Sequence, residues 1–339
     1  MGMFPGQSDN VSSKPSSNDH HGTTLLLSES LDDNRQANRH NQNPASTTQK
    51  PAKTTNNETN TTTNHIRGNR RNASHWTVAD IQWDLIDCVR VRNDPTTYYV
   101  VTAASFVETA ADLYTANLVE HFPDPQVRHW LVHYWQTEEL QHGLALRTYV
   151  EKVWPELDWK SGYDGFLAEY SKMCTMDELE NSRSLEMVAR CVVEAGTSTF
   201  YSTMQNSTTE PVLKTLAGLI RQDEVSHYNH FRHFFETYKK EERVGRVGVV
   251  RSLYKRFTEA ESEDAYIGLK HAWLMRHPDK VFQDQQFEAF LREVRTLLGN
   301  HYPYRMALKM LLQPLALNRT LVKLSMPLLE RAARRLMFN

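Results

Sequence analysis

Residues 138–143, EELQHG, place Glu139 and His142 three positions apart in a stretch whose pattern predicts a helix. The same spacing of glutamate and histidine returns in DEVSH at residues 223–227. An α-helix turns about 100° per residue, so positions i and i+3 lie within about 60° of each other and can bind one ion. Each stretch therefore predicts a metal ion held by one glutamate and one histidine.

Each motif is preceded by a further glutamate at a matched distance. Glu108 lies 31 residues before the glutamate of the first motif, and Glu194 lies 30 residues before that of the second. A helix-breaking stretch stands near the middle of each interval, FPDP at 122–125 and NSTTEP at 206–211. Each arm is then about 14 residues, or roughly 20 Å of helix. The spacing predicts two helical hairpins that bring their ligands to the same depth.

The sequence thus predicts six metal ligands from four helices, namely Glu108, Glu139, His142, Glu194, Glu224 and His227. Two lone glutamates with two ExxH motifs form the ligand pattern of di-iron carboxylate proteins. Glu194 lies in the apolar run MVARCVVEAG at 187–196, where a buried carboxylate must be paired or metal-bound. Four carboxylates and two imidazoles suit two iron ions, with O₂ as co-substrate where coordination positions stay open.

An acidic residue precedes each motif glutamate, Glu138 in the first motif and Asp223 in the second. A metal-bound histidine usually donates its other ring N–H to a carboxylate, which fixes its tautomer. We expect a crosswise arrangement, with Asp223 behind His142 and Glu138 behind His227. For Glu138 a solvated surface charge is the alternative.

Thr197 follows Glu194 by three positions and is therefore expected to face the same cavity. Its hydroxyl could donate a hydrogen bond or a proton to oxygen as it reacts, which makes Thr197 the candidate catalytic residue. The small residues Ala195 and Gly196 leave room for a substrate channel or allow close helix packing. Trp135, one turn before the first motif, is interpreted as core packing or as an electron relay.

At these motifs the chain resembles the soluble acyl-carrier-protein desaturases of the ferritin-like superfamily. That family has an EExxHG run, a DExxH run and a threonine three residues after the third-helix glutamate. The resemblance covers about 98–240 and implies a homodimer, a di-iron cofactor, a ferredoxin-like electron donor and removal of two hydrogens from a carrier-tethered acyl chain. The residues inside the motifs differ from those of the plant-type enzymes, the first hairpin looks shorter, and residues 241–339 are not matched to the family, so the substrate does not transfer.

Two other functions remain open, because the same centre serves several chemistries. One is a di-iron oxygenase that hydroxylates or N-oxidises a small metabolite. The other is a ferroxidase or iron-storage protein, which is disfavoured because about 100 residues follow the ligand helices.

An acidic carrier protein would need a basic docking face. The candidates, whose alternative is a solvated helix face, are Arg243, Arg246, Arg251, Lys255, Arg256, Arg319, Lys323, Arg331, Arg334 and Arg335.

Composition narrows the class of protein. Over 339 residues the formal net charge is −2, which argues against general nucleic-acid binding. The cysteines Cys88, Cys174 and Cys191 are odd in number and far apart, as expected for reduced thiols of a cytoplasmic protein. No apolar run approaches the roughly 20 residues that span a bilayer, so an integral membrane enzyme is not expected.

The chain divides by composition near residue 73. Residues 1–73 are rich in Asn, Thr and Ser and are predicted to be a disordered tail, with a transit peptide as the alternative. Residues 74–339 are predicted to form an all-α, ferritin-like four-helix bundle with a di-iron core and additional N- and C-terminal helices. The ligand helices are expected at 97–121, 125–153, 182–205 and 210–240. Other helices are expected at 76–91, 166–174, 244–258, 261–276, 284–299 and 304–336, the last broken at Pro314 and Pro327.

Overall fold

The structure is a computed structural model that describes residues 76–259 and 263–338. The predicted disordered tail at 1–73 lies outside these residues. Within them the chain forms helices and turns with no β-strand, which confirms the all-α prediction.

The α-helices of the described ranges are numbered in chain order. They are α1 (Cys88–Arg92), α2 (Pro95–Thr109), α3 (Ala111–His121), α4 (Pro125–Trp130), α5 (Gln136–Val153), α6 (Trp159–Tyr170), α7 (Arg183–Ser207), α8 (Pro211–Glu242), α9 (Arg246–Glu259), α10 (Glu263–Arg276), α11 (Asp284–His301), α12 (Tyr304–Leu312) and α13 (Arg319–Phe338). A π-helical turn, Leu131–Trp135, joins α4 to α5. Short 3₁₀ turns lie at Val78–Asp80, Trp83–Leu85, Met176–Glu178 and Gln313–Leu315.

Acidic N-caps set the starting points of α2 and α8, which carry candidate ligands, and of α4, which leads through the π-helical turn into α5. Asp94, Asp124 and Glu210 each accept hydrogen bonds from the first free backbone N–H groups of α2, α4 and α8. A proline follows each cap, at a position where the missing N–H costs no helical hydrogen bond. The start of α7 is capped by Ser182. The caps therefore fix where the ligand positions fall along each helix.

Three of the predicted ligand helices are confirmed to within two residues, those at 125–153, 182–205 and 210–240. The single helix predicted at 97–121 is wrong, because the chain breaks at Ala110 between α2 and α3. At this break the carbonyl of Thr109 accepts a hydrogen bond from the hydroxyl of Tyr163 at 3.3 Å. A side chain thus satisfies a carbonyl at the end of α2.

The helix predicted at 76–91 is also wrong, although Thr77 and Asp80 pair as at the start of a helix. Asp80 accepts from the backbone N–H of Thr77 at 2.7 Å, but the chain turns extended at Ile81. This segment does not bury one continuous apolar face, since Leu85 and Val89 are exposed. Two 3₁₀ turns and the short α1 replace the predicted helix.

Smaller corrections concern the crossover and the C-terminal end. The crossover helix expected at 166–174 is α6, which begins at Trp159 because Asp158 caps it, and ends at Tyr170. Pro314 interrupts the last predicted helix, whereas Pro327 lies inside α13. The residue four positions before Pro327, Lys323, is exposed, so water can satisfy its unpaired carbonyl.

The helices that carry the predicted ligands pack in pairs. α2 packs on α5, α7 packs on α8, and α5 contacts α8. Around them α10 packs on α2 and α6, while α9 and α12 pack on α7. Gly143 permits the close approach of α5 to α2, because a Cβ there would lie 2.6 Å from the Thr109 hydroxyl oxygen. Among the described residues, no helix has both the length and the apolar character needed to cross a bilayer.

Candidate metal centre

The structure brings the six predicted ligand residues together as two overlapping clusters. One cluster contains Glu108, Glu139, His142 and Glu224, and the other contains Glu139, Glu194, Glu224 and His227. Within each cluster the candidate donor atoms all lie within 4.8 Å of one another, so each could hold a metal ion. Glu139 and Glu224 belong to both clusters, which places these two carboxylates between the two candidate ion positions.

All six side chains are buried, and burial makes their charges costly unless a cation compensates them. Four ionised carboxylates with two neutral imidazoles carry a formal charge of −4. Two divalent cations would neutralise this charge. The donor set therefore fits two divalent ions.

Five buried atoms of the clusters have no hydrogen-bond partner, which is a second sign that a cation fits here. They are the Nδ1 atoms of His142 and His227, Oε1 of Glu139, Oε2 of Glu194 and Oε1 of Glu224. Nδ1 of His142 lies 3.2 Å from Oε1 of Glu224, and Nδ1 of His227 lies 3.0 Å from Oε1 of Glu139. Buried polar atoms are normally paired, so an ion between these atoms would supply the missing partner.

The two imidazoles are held from behind in the crosswise arrangement that the sequence predicts. Nε2 of His142 lies 3.1 Å from Oδ2 of Asp223, and Nε2 of His227 lies 2.8 Å from Oε2 of Glu138. Each carboxylate favours the tautomer with hydrogen on Nε2, which leaves the Nδ1 lone pair directed into the cluster. Glu138 contacts His227 and is therefore more than a solvated charge.

Two aromatic residues that the sequence did not assign to the site also contact it. Trp76 donates its indole N–H to Oδ2 of Asp223 at 2.7 Å, and its ring stacks on the His142 ring. The hydroxyl of Tyr201 donates to Oε1 of Glu108 at 2.5 Å. Both contacts fix the orientation of a group that faces or supports the clusters.

Trp135 was expected in the core or as a relay, and it is buried with its indole N–H donating to Oε1 of Glu194 at 3.1 Å. It ends the π-helical turn that precedes α5, a departure from regular helix that is frequent at functional sites. Helical periodicity could have found Tyr201, which stands two turns after Glu194. Trp76 lies in irregular chain, where no periodicity predicts its direction.

Thr197 lies on the side of the centre that faces a cavity of about 210 Å³. Its hydroxyl donates to Oε2 of Glu224 at 2.7 Å and also lies 3.2 Å from the carbonyl of Glu194. The cavity wall near the centre includes Glu108, Thr197 and Gly196, and a Cβ at Gly196 would meet no atom within 4 Å. The small residues therefore border open space next to the clusters.

The far part of the cavity is lined mainly by apolar residues of α2, α7, α10 and α12, with two charged exceptions, Arg256 and Asp264. Arg256 donates to the carbonyl of Glu178 at 3.3 Å and lies 4.0 Å from the Glu186 carboxylate. Burial raises the pKa of the Asp264 carboxyl above its ordinary value. Arg256, predicted as part of a docking face, thus lies at the cavity.

Without metal the clusters hold protons. Burial and the neighbouring charge of Glu224 raise the pKa of Glu194 to about 8, and burial with the charges of Glu224 and Glu108 raises that of Glu139. Burial opposes the charged form of both histidines, but the surrounding carboxylates outweigh it and raise the pKa of His142 and His227. Burial also opposes ionisation of Glu224, yet the two imidazoles lower its pKa. Cations must therefore displace protons to bind.

Comparison of the chain with protein-family models, with curated proteins and with solved structures found no match. The likeness to acyl-carrier-protein desaturases consequently rests on the motifs and their spacing.

Proposed function

We propose that this chain is an O₂-dependent di-iron oxidoreductase in which α2, α5, α7 and α8 form a ferritin-like four-helix bundle. The observation that carries the proposal is the pair of buried clusters that share Glu139 and Glu224. In this assignment Glu108 and His142 serve one ion, Glu194 and His227 serve the other, and the shared carboxylates serve both. Hard carboxylate and imidazole donors suit iron.

When bound, two iron ions would supply the electrons and the Lewis acidity for O₂ reduction. The protein's own contribution is positioning. Asp223 and Glu138 hold the imidazoles, Tyr201 and Trp135 orient the outer carboxylates, and the buried site excludes water. Thr197, whose hydroxyl donates to Glu224 at the cavity wall, is placed to move a proton between that carboxylate and a reacting group.

The substrate we favour is an acyl chain, from which the reaction removes two hydrogens. The cavity next to Glu108 and Thr197 is mostly apolar. Its volume of about 210 Å³ lies below the usual range of about 300–1,000 Å³ for ligand pockets, so it suits a slender chain. Resemblance to the desaturases adds an acyl-carrier protein, a ferredoxin-like donor and a homodimer to the proposal.

A second candidate is hydroxylation or N-oxidation of a small metabolite. The charged pair Arg256 and Asp264 at the cavity favours it, because a polar group of the substrate could bind there. An iron-storage role receives no comparable support, since the side of the centre at Thr197 opens on a mainly apolar cavity.

Iron content with O₂ consumption tests the proposal. We expect about two iron ions per chain and rapid O₂ uptake by the Fe(II)-loaded protein. A Glu224→Ala, His227→Ala double variant should lose most of both. Its matched control is His233→Ala with Glu236→Ala, a histidine and a glutamate three positions apart on the same helix but outside the clusters. Full iron occupancy in the first variant would refute the site assignment.

Carrier binding separates the two substrate classes. Of the predicted docking residues, Arg251 is exposed, and Lys255 lies 4.0 Å from the Glu180 carboxylate. Reversal of Arg251 to Glu should weaken binding of an acyl-carrier protein, with marked salt dependence in the parent. If the parent shows no affinity for such a carrier at low ionic strength, the small-metabolite oxygenase is the better assignment.

A further inference from the structure

The last helix presents leucine side chains to solvent on one face. Leu321, Leu324 and Leu328 of α13 are 66%, 73% and 69% exposed. Their spacings of three and four residues place them on one side of the helix. Met326, on the opposite side, is buried, and α13 packs there against α11 and α12. The buried side therefore accounts for the attachment of α13 to the protein, and the leucine face is left for another partner.

The same helix is strongly basic. It carries five cationic residues, Arg319, Lys323, Arg331, Arg334 and Arg335. Its one acidic residue, Glu330, is paired with Arg305 of α12 at 2.5 Å. Arg331 and Arg335, both exposed, follow Leu324 and Leu328 by seven positions and therefore lie on the same side of the helix as the leucines. A helix that presents exposed leucines together with arginines is typical of helices that lie at a membrane surface.

A basic groove runs along the other side of this helix. It lies between α8, α12 and α13, and its volume is about 1020 Å³. Five cationic side chains line it against the single acidic side chain of Glu236, namely Arg232, Arg305, Lys309, Arg319 and Lys323. Arg319 and Lys323 lie on the side of α13 that carries the buried Met326, which also lines the groove, so the groove lies on the side of the helix away from the exposed leucines.

Exposed apolar and basic side chains also occur on α9, which lies next to the start of α13. Arg246, at the start of α9, donates to the carbonyl of Ala316, just before α13 begins. The α9 residues Val247 and Tyr254 are exposed apolar side chains, and Arg251 between them is exposed as well. A second helix with exposed apolar and basic residues therefore adjoins the first.

We propose that the leucine face of α13, together with Arg331 and Arg335 on the same side, is a docking surface for an anionic lipid bilayer. Lipid phosphates neutralise the two arginines, while the leucines enter the apolar layer beneath the headgroups. A second copy of this chain is a poorer occupant. A two-fold interface sets the same patch against itself, so each copy would bring its cations against those of the other. The proposal is independent of the chemistry at the metal centre.

Vesicle co-sedimentation of the full chain tests this surface. The vesicles are phosphatidylcholine alone and phosphatidylcholine mixed with phosphatidylglycerol. We expect binding to the mixed vesicles only, and weaker binding as salt is added. Because the full chain is used, any segment of the protein that covers the leucine face would compete with the vesicles for that face.

A Leu324→Glu, Leu328→Glu variant should lower the vesicle partition constant at least tenfold, since one fully buried leucine contributes on the order of tenfold. Its matched control is Val89→Glu with Val281→Glu, which makes the same kind of change at two exposed apolar residues elsewhere. Reversal of Arg331 and Arg335 to Glu should likewise weaken binding and reduce its salt dependence. Melting temperatures of the three variants verify that each remains folded.

Three results would overturn the proposal. One is absence of binding to the mixed vesicles, and another is equal binding to both kinds. The third is vesicle binding that survives the leucine substitutions. Sedimentation velocity in the same buffers then tests whether the leucine face binds a second copy of the chain. If the parent is a dimer and the leucine variant is a monomer, this face is the contact between copies. Iron content is unaffected in every case, so the outcome does not depend on the metal centre.

Discussion

The half of the candidate metal centre around His142 and the half around His227 present the same donors, but they are supported differently. Behind His142, Asp223 is only 13% exposed and also accepts the indole N–H of Trp76. Behind His227, Glu138 is 27% exposed. The donor atoms of both halves thus come from the same repeated sequence pattern. The exposure and the further partner of the carboxylate behind each histidine differ, because different parts of the chain pack on the two sides. We expect the two halves to respond alike to changes at the shared carboxylates and unequally to changes behind the histidines.

The largest expected effect comes from the residues that the two halves share. Glu139→Ala or Glu224→Ala removes a donor from both clusters, so iron content should fall from about two per chain to nearly none. Glu108→Ala or Glu194→Ala removes a donor from one cluster only, and about half the iron should remain. Metal analysis of the purified variants measures this difference. Equal losses from all four variants would contradict the division into shared and separate ligands.

The next effect is a pH dependence of iron binding. The pKa of Glu194 is raised to about 8, so at lower pH this carboxyl holds a proton that iron must displace. Iron affinity should therefore rise with pH up to about 8, by roughly tenfold per pH unit for each proton released. Titrations with Fe(II) under nitrogen at several pH values measure the slope. Glu194→Gln carries no titrating proton and should give a shallower slope with weaker binding.

A smaller effect separates the supports behind the two histidines. Asp223→Asn should lower iron affinity by roughly 10–100-fold, the usual cost of losing a carboxylate behind a metal-bound histidine. Glu138→Gln should cost less, because Glu138 is the more exposed of the two and water can replace part of its contact. Competition with an iron chelator measures both affinities. Equal losses would show that exposure behind the histidine does not matter.

Much of the centre was predictable because helical spacing is a local property. The ExxH motifs, the 30- and 31-residue intervals and the capping prolines are all visible in the sequence, and three ligand helices follow from them to within two residues. The crosswise support of the histidines was also predictable, since an acidic residue precedes each motif. These inferences require only that the four predicted ligand helices pack against one another.

The rest depended on contacts between segments that are distant in sequence. Trp76 reaches Asp223 across 147 positions from a segment that the pattern predicted to be helical and that is irregular. The break at Ala110 lies where Tyr163 of α6 contacts the end of α2. The inward direction of Arg256 follows from its contacts with residues before α7. Composition and periodicity carry no information on such pairings.

The smallest expected effect concerns the two tryptophans. Trp76→Phe removes the N–H that Asp223 accepts, and Trp135→Phe removes the one that Glu194 accepts. Each loses one hydrogen bond to a charged group, worth about 1.5–3 kcal/mol, part of which water restores at the more exposed Asp223. Trp76→Phe should therefore lower iron affinity only a few-fold, and Trp135→Phe somewhat more.

The two tryptophans can then be distinguished by how each couples to Asp223. Trp76 acts on the centre through Asp223, so adding Trp76→Phe to Asp223→Asn should cost little beyond the single Asp223 variant. Trp135 acts through Glu194 in the other half, so Trp135→Phe should add nearly its full effect to Asp223→Asn. Iron affinities of the two double-mutant cycles measure both couplings. A coupling of Trp135 to Asp223 as large as that of Trp76 would mean that the halves do not respond separately, and that the shared carboxylates transmit changes from one histidine to the other.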